Sequence, residues 1–300
     1  MTNQISGFPA HWEDLVIAVI GGDEREQEIA RLAAATGATV RAYGFPWLEQ
    51  GVEGVEYTGS VSAAMDKAHV VLFPIPGMTL DGSIFATETI IPDEALLANM
   101  APGGHIILGM ADAGLNAAAA KLGIALHEYE HDQKLMLLRA PAIVEAALKV
   151  LIENTDITIH KARICVAGQG NIGTVLTRTL VLLGAYVTVA ARNPVQRANA
   201  YTIGAETITI DELSGKAKDF DIIMSTVSAP IISEDIIDTL PQNTLLVDLS
   251  APPGSIDLEY ARSRGLKAVW ARALGRRAPI TVGGSQWSGI SKTITNLLQG

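Results

Sequence analysis

The sequence predicts an α/β protein made of two doubly wound parallel sheets. Three observations predict it. Short, wholly apolar runs alternate with amphipathic helical stretches along all 300 residues, and such runs suit strands buried on both faces of a parallel sheet. The scheme is written twice, the second half echoing the first. Each half opens on a strand that runs directly into a glycine turn and a helix.

In the first half the opening strand is Leu15-Val16-Ile17-Ala18-Val19-Ile20, followed by Gly21-Gly22-Asp23, a helical stretch and Gly37-Ala38-Thr39-Val40. In the second it is Ile164-Cys165-Val166, followed by a glycine turn, a helical stretch and Gly184-Ala185-Tyr186-Val187. Further strands correspond in pairs, residues 68–74 with 220–226 and residues 102–109 with 241–248. This gives two Rossmann-like domains, residues 1–140 and 155–285. Pro141 reads as the opening of a hinge helix over 141–154, because the first turn of a helix tolerates proline. A last helix over 286–300 is expected to pack back on the first domain.

Composition narrows the function classes. A hydrophobic fraction of 48% supplies ample core, and 22 basic against 32 acidic residues leave a net charge of −10. That balance, without a basic stripe, argues against nucleic acid and anionic membrane as partners. The single cysteine, Cys165, falls inside an apolar strand, so a disulfide framework is excluded and a reducing cytoplasm is the expected location. Residues 1–14 lack a basic-then-apolar signal pattern, and no apolar run reaches membrane-spanning length.

The glycine turn of the second half is Gly168-Gln169-Gly170-Asn171-Ile172-Gly173, with a strand before it and a helix after it. That context marks a dinucleotide-binding βαβ unit. Gly168 permits the tight turn, Gly170 lets the backbone approach a pyrophosphate, and Gly173 lets the helix pack on the strand. The phosphates would sit at the helix N-terminus, where N–H groups and the dipole favour negative charge. An NAD site ends its second strand on an acid that holds the ribose 2′-hydroxyl. Here Ala191 is followed by Arg192 and Asn193, with Arg197 a turn later. A guanidinium grips a 2′-phosphate with two hydrogen bonds, so the expected cofactor is NADP. Thr226, Val227 and Ser228, with Leu249 and Ser250, follow later strands and are expected to wall the same site.

The first half carries no second nucleotide site. Asp23, Glu24, Glu26 and Glu28 crowd its helix start, which suits the helix dipole and repels a pyrophosphate. Gly22, Asp23 and Arg25 either face a substrate or simply begin an acidic helix. Downstream, Arg272-Ala273-Leu274-Gly275-Arg276-Arg277-Ala278 forms an anion clamp or a solvated basic loop. In the clamp reading Gly275, Arg276, Arg277 and Ala278 bind substrate. Arg139 is a weaker candidate of the same kind, and Asp248 either bonds cleft groups or caps its own turn. The six histidines give no metal pattern, because His127 and His131 lack a third ligand, and no general base or nucleophile stands out.

Several blocks carry a family resemblance. They are Ala18-Val19-Ile20-Gly21-Gly22-Asp23 with Arg25 and Glu28, Tyr129-Glu130-His131-Asp132, the lead-in at residues 155–160, and Ala191-Arg192. Two late motifs join them, Asp248-Leu249 with Pro253-Gly254, and Gly275 with Ala278-Pro279 and Thr281. The glycine turn is generic, whereas these blocks together are specific. Over nearly its whole length the chain resembles the dipicolinate synthase A-subunit family, NADP-binding subunits of spore-forming bacteria. The resemblance implies an oxidoreductase that converts a 4-hydroxy-tetrahydrodipicolinate-type cyclic dicarboxylate to dipicolinate, with a flavoprotein-like second subunit. Analogy of fold implies a homo-oligomer. Departures gather where substrate should sit. Pro252 stands where the family has an arginine, Ile280 where it has a lysine, Leu138-Arg139-Ala140 where it has an asparagine, and Arg276 and Arg277 where it has apolar residues. Either positive charge has moved within one cleft or the substrate differs. Two other readings keep the fold: a D-2-hydroxyacid-type dehydrogenase, which usually carries a late cleft histidine absent after His160, and a non-catalytic NADP-binding subunit.

Overall fold

The structure, a computed structural model, describes residues 8–46 and 51–300. Residues 1–7, half of the N-terminal stretch read above for a signal, lie outside the described residues, as do residues 47–50. The chain divides into two compact units, Met1–Arg139 with Ala278–Gly300, and Ala140–Arg277.

The first unit contains β1 (Val16–Ile20), β2 (Thr39–Tyr43), β3 (Val55–Tyr57), β4 (Val70–Leu72), β5 (His105–Leu108) and β6 (Ala125–Glu128). Its helices are α1 (Glu24–Ala34), α2 (Val61–Met65), α3 (Glu94–Leu97) and α4 (Ala113–Leu122). The boundary between the units falls inside α5 (Gln133–Asn154). The second unit contains β7 (Arg163–Ala167), β8 (Tyr186–Ala190), β9 (Glu206–Ile208), β10 (Ile222–Ser225), β11 (Leu245–Asp248) and β12 (Lys267–Trp270). Its helices are α6 (Asn171–Leu182), α7 (Pro194–Thr202), α8 (Leu213–Lys216), α9 (Glu234–Ile237) and α10 (Leu258–Ser263). The chain ends with α11 (Pro279–Leu298), which belongs to the first unit.

Both sheets are wholly parallel and wound in the same order, β3-β2-β1-β4-β5-β6 and β9-β8-β7-β10-β11-β12. This is the Rossmann order, twice. It places a switch point between β1 and β4 and another between β7 and β10, where loops diverge and a crevice opens. The central strands are wholly buried, as their unbroken apolar sequences require: Ile164, Cys165 and Val166 on β7 and Ile222, Ile223 and Met224 on β10 are all 0% exposed. Helices cover both faces of the second sheet, and the core divides accordingly. Val166, Leu176, Leu180 and Val189 pack on one side, and Cys165, Ile223, Ile237 and Leu246 on the other.

Two helices start earlier than the sequence pattern suggests. α5 begins at Gln133, so Pro141 lies inside it rather than in its first turn. Asp132 sets that start, because its Oδ1 accepts from the backbone N–H of Lys134 at 2.9 Å and of Leu135 at 3.2 Å. Leu135 is then buried against Gly289 of α11, where any Cβ would meet Leu135 Cδ1 at 2.5 Å. This early cap and contact sustain the helix through a proline that cannot donate to the carbonyl four residues back. α11 likewise begins at Pro279, not near residue 286, and packs on α1. Gly283 makes that approach close, since a Cβ there would lie 2.7 Å from the carbonyl oxygen of Arg25.

Candidate cofactor site

The glycine turn of the second unit links β7 to α6. Gly168 has φ +95°, a left-handed conformation that favours glycine. A Cβ on it would also meet Thr226 Oγ1 at 2.5 Å and Val227 Cγ2 at 2.7 Å, so this glycine and the β10 loop fit against each other. Gly173 has a packing reason as well, because its Cβ would fall on the carbonyl oxygen of Gly168. Gly170 has neither. Its φ of −83° suits any residue, it is exposed, and a Cβ there meets nothing within 4 Å. That open space is at the residue that begins α6. Gly170 is the N-cap residue of that helix, no side chain caps it, and its first turn holds no acid. A pyrophosphate fits a helix start of this kind.

Gln169 turns inward. Its Oε1 accepts from Thr177 Oγ1 at 2.9 Å in the core, so its side chain belongs to the turn's support. Asn171 and Ile172 are half-buried at the helix start. At the end of β8, Ala191 is buried, whereas Arg192 and Asn193 are exposed. Asn193 caps α7 through its side chain, accepting from Val195 N at 2.8 Å. Arg197 Nη1 donates to the carbonyls of Ala191 at 2.6 Å and Arg192 at 2.8 Å. Arg197 therefore pins the strand end that presents Arg192.

On the other side of the switch point, Thr226 N donates to Ala167 O at 2.9 Å, which ties the β10 loop to β7. Thr226 and Val227 are half-buried, and Ser228 is exposed. Beyond β11, Leu249 N donates to Ser225 O at 2.8 Å. Ser250 donates its Oγ–H and its N–H to Asp248 Oδ1, at 2.6 and 2.9 Å. Asp248 Oδ2 accepts from Ser255 N and Ile256 N, at 2.6 and 3.1 Å. Of the two readings of Asp248, the turn-capping one is what the geometry shows. Gly275 is buried in a short 3-10 turn (Leu274–Arg277), Arg277 Nη2 pairs with Glu145 at 2.8 Å, and Arg276 is exposed, though it too has interactions. Ala278 starts the return to the first unit as the N-cap residue of α11.

The corresponding turn of the first unit is closed by its own chain. Gly21 N donates to Tyr43 O at 2.8 Å and Gly22 N to Phe85 O at 2.7 Å. Asp23 and Glu26 form a complete capping box on α1. Glu26 accepts from Asp23 N at 2.8 Å and from Ile75 N at 2.9 Å, and burial pushes its carboxyl up to about 7. Arg25 makes two bonds of 2.8 Å to Asp23, and the two residues are only 7% and 1% exposed. Gly22, Asp23 and Arg25 thus stand together, engaged with one another and with the loop above. Nearby, Arg139 Nη2 pairs with Glu130 at 2.6 Å, and burial raises the phenol of Tyr129 well above its usual range. In the sequence Glu26 was legible as an acid but not as a cap, although the spacing Asp23-x-x-Glu26 is the signal for one.

Comparison with known proteins follows the division into two units. Residues 16–130 match the family of the dipicolinate synthase A-subunit N-terminal domain, and residues 149–267 match the shikimate / quinate 5-dehydrogenase family. The chain is 30% identical over 292 residues to the dipicolinate synthase A-subunit of Bacillus subtilis (strain 168), spanning 94% of this chain and 97% of that protein. The chain belongs to the dipicolinate synthase A-subunit family. Two crystal structures of proteins named for this subunit share its fold. That from Bacillus halodurans superposes with a TM-score of 0.84 at 26% identity, over 95% of this chain and 98% of the other. That from Bacillus subtilis gives 0.82 at 28% identity, over 94% and 96%. Membership in the dipicolinate synthase A-subunit family, with a dehydrogenase-type second unit, supports an NAD(P)-dependent oxidoreductase.

Among the described residues no group of three or more metal-ligating side chains forms, and no helix is long and apolar enough to cross a membrane.

Proposed function

We propose that the protein is an NADP-dependent oxidoreductase that forms dipicolinate from a 4-hydroxy-tetrahydrodipicolinate-type cyclic dicarboxylate. One observation carries the cofactor half of this reading. Gly170 lacks a side chain where neither packing nor backbone conformation calls for glycine, at the N-cap position of a helix start that no side chain caps. A bound pyrophosphate supplies the missing reason. Arg192 supports NADP over NAD, because it is exposed at the end of β8, where an NAD site would hold an acid. Arg197 helps by fixing the Ala191 and Arg192 carbonyls.

The substrate half rests on the match to the dipicolinate synthase A-subunit along almost the whole chain. Loss of the 4-hydroxyl as water, then of a hydride and a proton, converts the tetrahydro ring to an aromatic pyridine. When bound, NADP⁺ supplies the hydride acceptor. The chain's own part is to seat the nucleotide, hold the dicarboxylate and exclude water. The relatives are named as one part of a multi-subunit synthase, which supports a second polypeptide, and we infer a flavoprotein-like partner for full activity.

Titration of the purified chain with NADPH and NADH, beside Arg192→Ala, tests the cofactor claim. The expected result is tighter binding of NADPH than NADH, and a loss of roughly tenfold or more in NADPH affinity for Arg192→Ala with NADH unchanged, as for a charge-assisted bond worth about 1.5–3 kcal/mol. Equal affinities in the wild type, or an unmoved NADPH affinity in the variant, would remove NADP from the account.

A further inference from the structure

The second unit carries several arginines beyond the switch point, and most are occupied. Arg277 pairs with Glu145, Arg264 pairs with Asp238 at 2.9 Å, and Arg262 donates to Ala268 O at 3.0 Å. Arg272 differs. Its guanidinium carbon lies 5.0 Å from the centroid of the Trp270 ring. Among the described residues no carboxylate or other acceptor takes a hydrogen bond from that guanidinium, and the residue is exposed.

The tryptophan beneath it is held in place. Trp270 Nε1 donates to Ser250 O at 3.0 Å, and Ser250 is fixed in turn by the fully buried Asp248. Ala271 N donates to Asp248 O at 2.8 Å, and Ala273 takes a left-handed conformation with φ +54° just after the arginine. A non-glycine residue in that region carries strain that the surroundings must offset. The loop after β12 is therefore built to a fixed shape. A guanidinium laid on an aromatic face keeps its N–H edge free for a planar anion.

Its place in the sheet gives the arginine a purpose. If Arg192 at the end of β8 reads the adenosine side and the glycine turn after β7 holds the pyrophosphate, the nicotinamide end must extend toward β10, β11 and β12. Arg272 sits at the same, carboxyl end of the sheet on that side. We propose that Arg272 is the carboxylate anchor of the second unit, holding one carboxylate of a small dicarboxylate beside the nicotinamide. This rests on the function proposed above, and it moves the anion-binding role from Arg276 and Arg277 to the arginine that Trp270 orients.

The test is direct binding, with no turnover needed. Pyridine-2,6-dicarboxylate and a panel of other small mono- and dicarboxylates are titrated by calorimetry into the full chain saturated with NADPH. The proteins are wild type, Arg272→Gln, Arg272→Lys and, as a net-charge control, Arg264→Gln. The expected result is that Arg272→Gln weakens the dicarboxylate at least about tenfold, with Arg272→Lys intermediate, while Arg264→Gln stays within about twofold. NADPH affinity and melting temperature should match the wild type in all three variants. Pyridine-2,6-dicarboxylate binding that Arg272→Gln leaves unchanged overturns the anchor and keeps the proposed function. Binding of a different carboxylate, lost in Arg272→Gln, keeps the anchor and overturns dipicolinate as the product. No binding of any carboxylate to the wild type overturns both.

Discussion

A Cβ on Gly173 would fall on the carbonyl oxygen of Gly168, so α6 can meet β7 only with glycine at that position. Gly170, midway along the same turn, has open space instead. The two glycines should separate folding from ligand binding. Gly173→Ala is expected to lose about 1–3 kcal/mol or more of stability, because the obstructing atom is backbone and cannot turn aside. Gly170→Ala should cost less than about 1 kcal/mol in the fold and at least about tenfold in NADPH affinity. Thermal melts beside nucleotide titrations decide it. A Gly170→Ala variant that binds NADPH like the wild type would mean that the turn holds no phosphate.

The Asp23–Arg25 pair gives a prediction of the opposite kind, one of stability alone. Both side chains are buried and make two bonds of 2.8 Å. Arg25→Leu would remove the guanidinium from the buried Asp23 carboxylate and leave it the backbone N–H of residue 25 and its other cap bonds, at a cost of about 3 kcal/mol. Denaturant unfolding measures this. A loss below about 1 kcal/mol would show that water reaches the pair.

Acid should weaken the first unit through His105. This imidazole is 4% exposed, its Nδ1 lies 3.0 Å from Nε2 of His127, and burial, aided by His127, lowers its pKa to about 4. An unfolded histidine titrates near 6.5, so the unfolded chain binds more protons between pH 6.5 and 4. The stabilising effect of the neutral imidazole is fully present above about 6.5 and is lost as pH falls toward 4. Glu26 works the other way, since its carboxyl is raised to about 7 and its folded-state proton is lost as pH rises. A variant comparison separates the two. Between pH 7.5 and pH 5 the melting temperature of the wild type should fall by more than that of His105→Phe. Parallel curves would mean that His105 is solvated in the folded protein.

Much of this fold was legible in the sequence because its central strands are long, buried and followed by glycine turns. The run from Ile164 to Ala167 could hardly be anything but a central strand, and the repeat in the first half named its counterpart. The outer strands β3 and β9 gave little signal. Each has three residues and lies at a sheet edge, with burial too patchy to leave a period. Pro141 misled for a physical reason: a proline marks a helix start only when nothing upstream nucleates the helix, and the Asp132 cap does. Among the proposed site residues, the place of Arg192 just past β8 was legible from its distance to the glycine turn. The supports were not. The inward turn of Gln169, the carbonyl bonds of Arg197 and the seat of Arg272 on Trp270 depend on how strand ends and loops fold over one another.

The central claim is the reaction, and one assay tests it most directly. Freshly prepared 4-hydroxy-tetrahydrodipicolinate and NADP⁺ are mixed with the chain, with and without a co-expressed partner polypeptide, while NADPH and the pyridine product are followed together by ultraviolet absorbance. The account expects both to appear in equal amounts, faster when the partner is present. Neither appearing in either mixture, with NADPH binding intact, would contradict it and leave a nucleotide-binding member of the family that acts on another substrate or none.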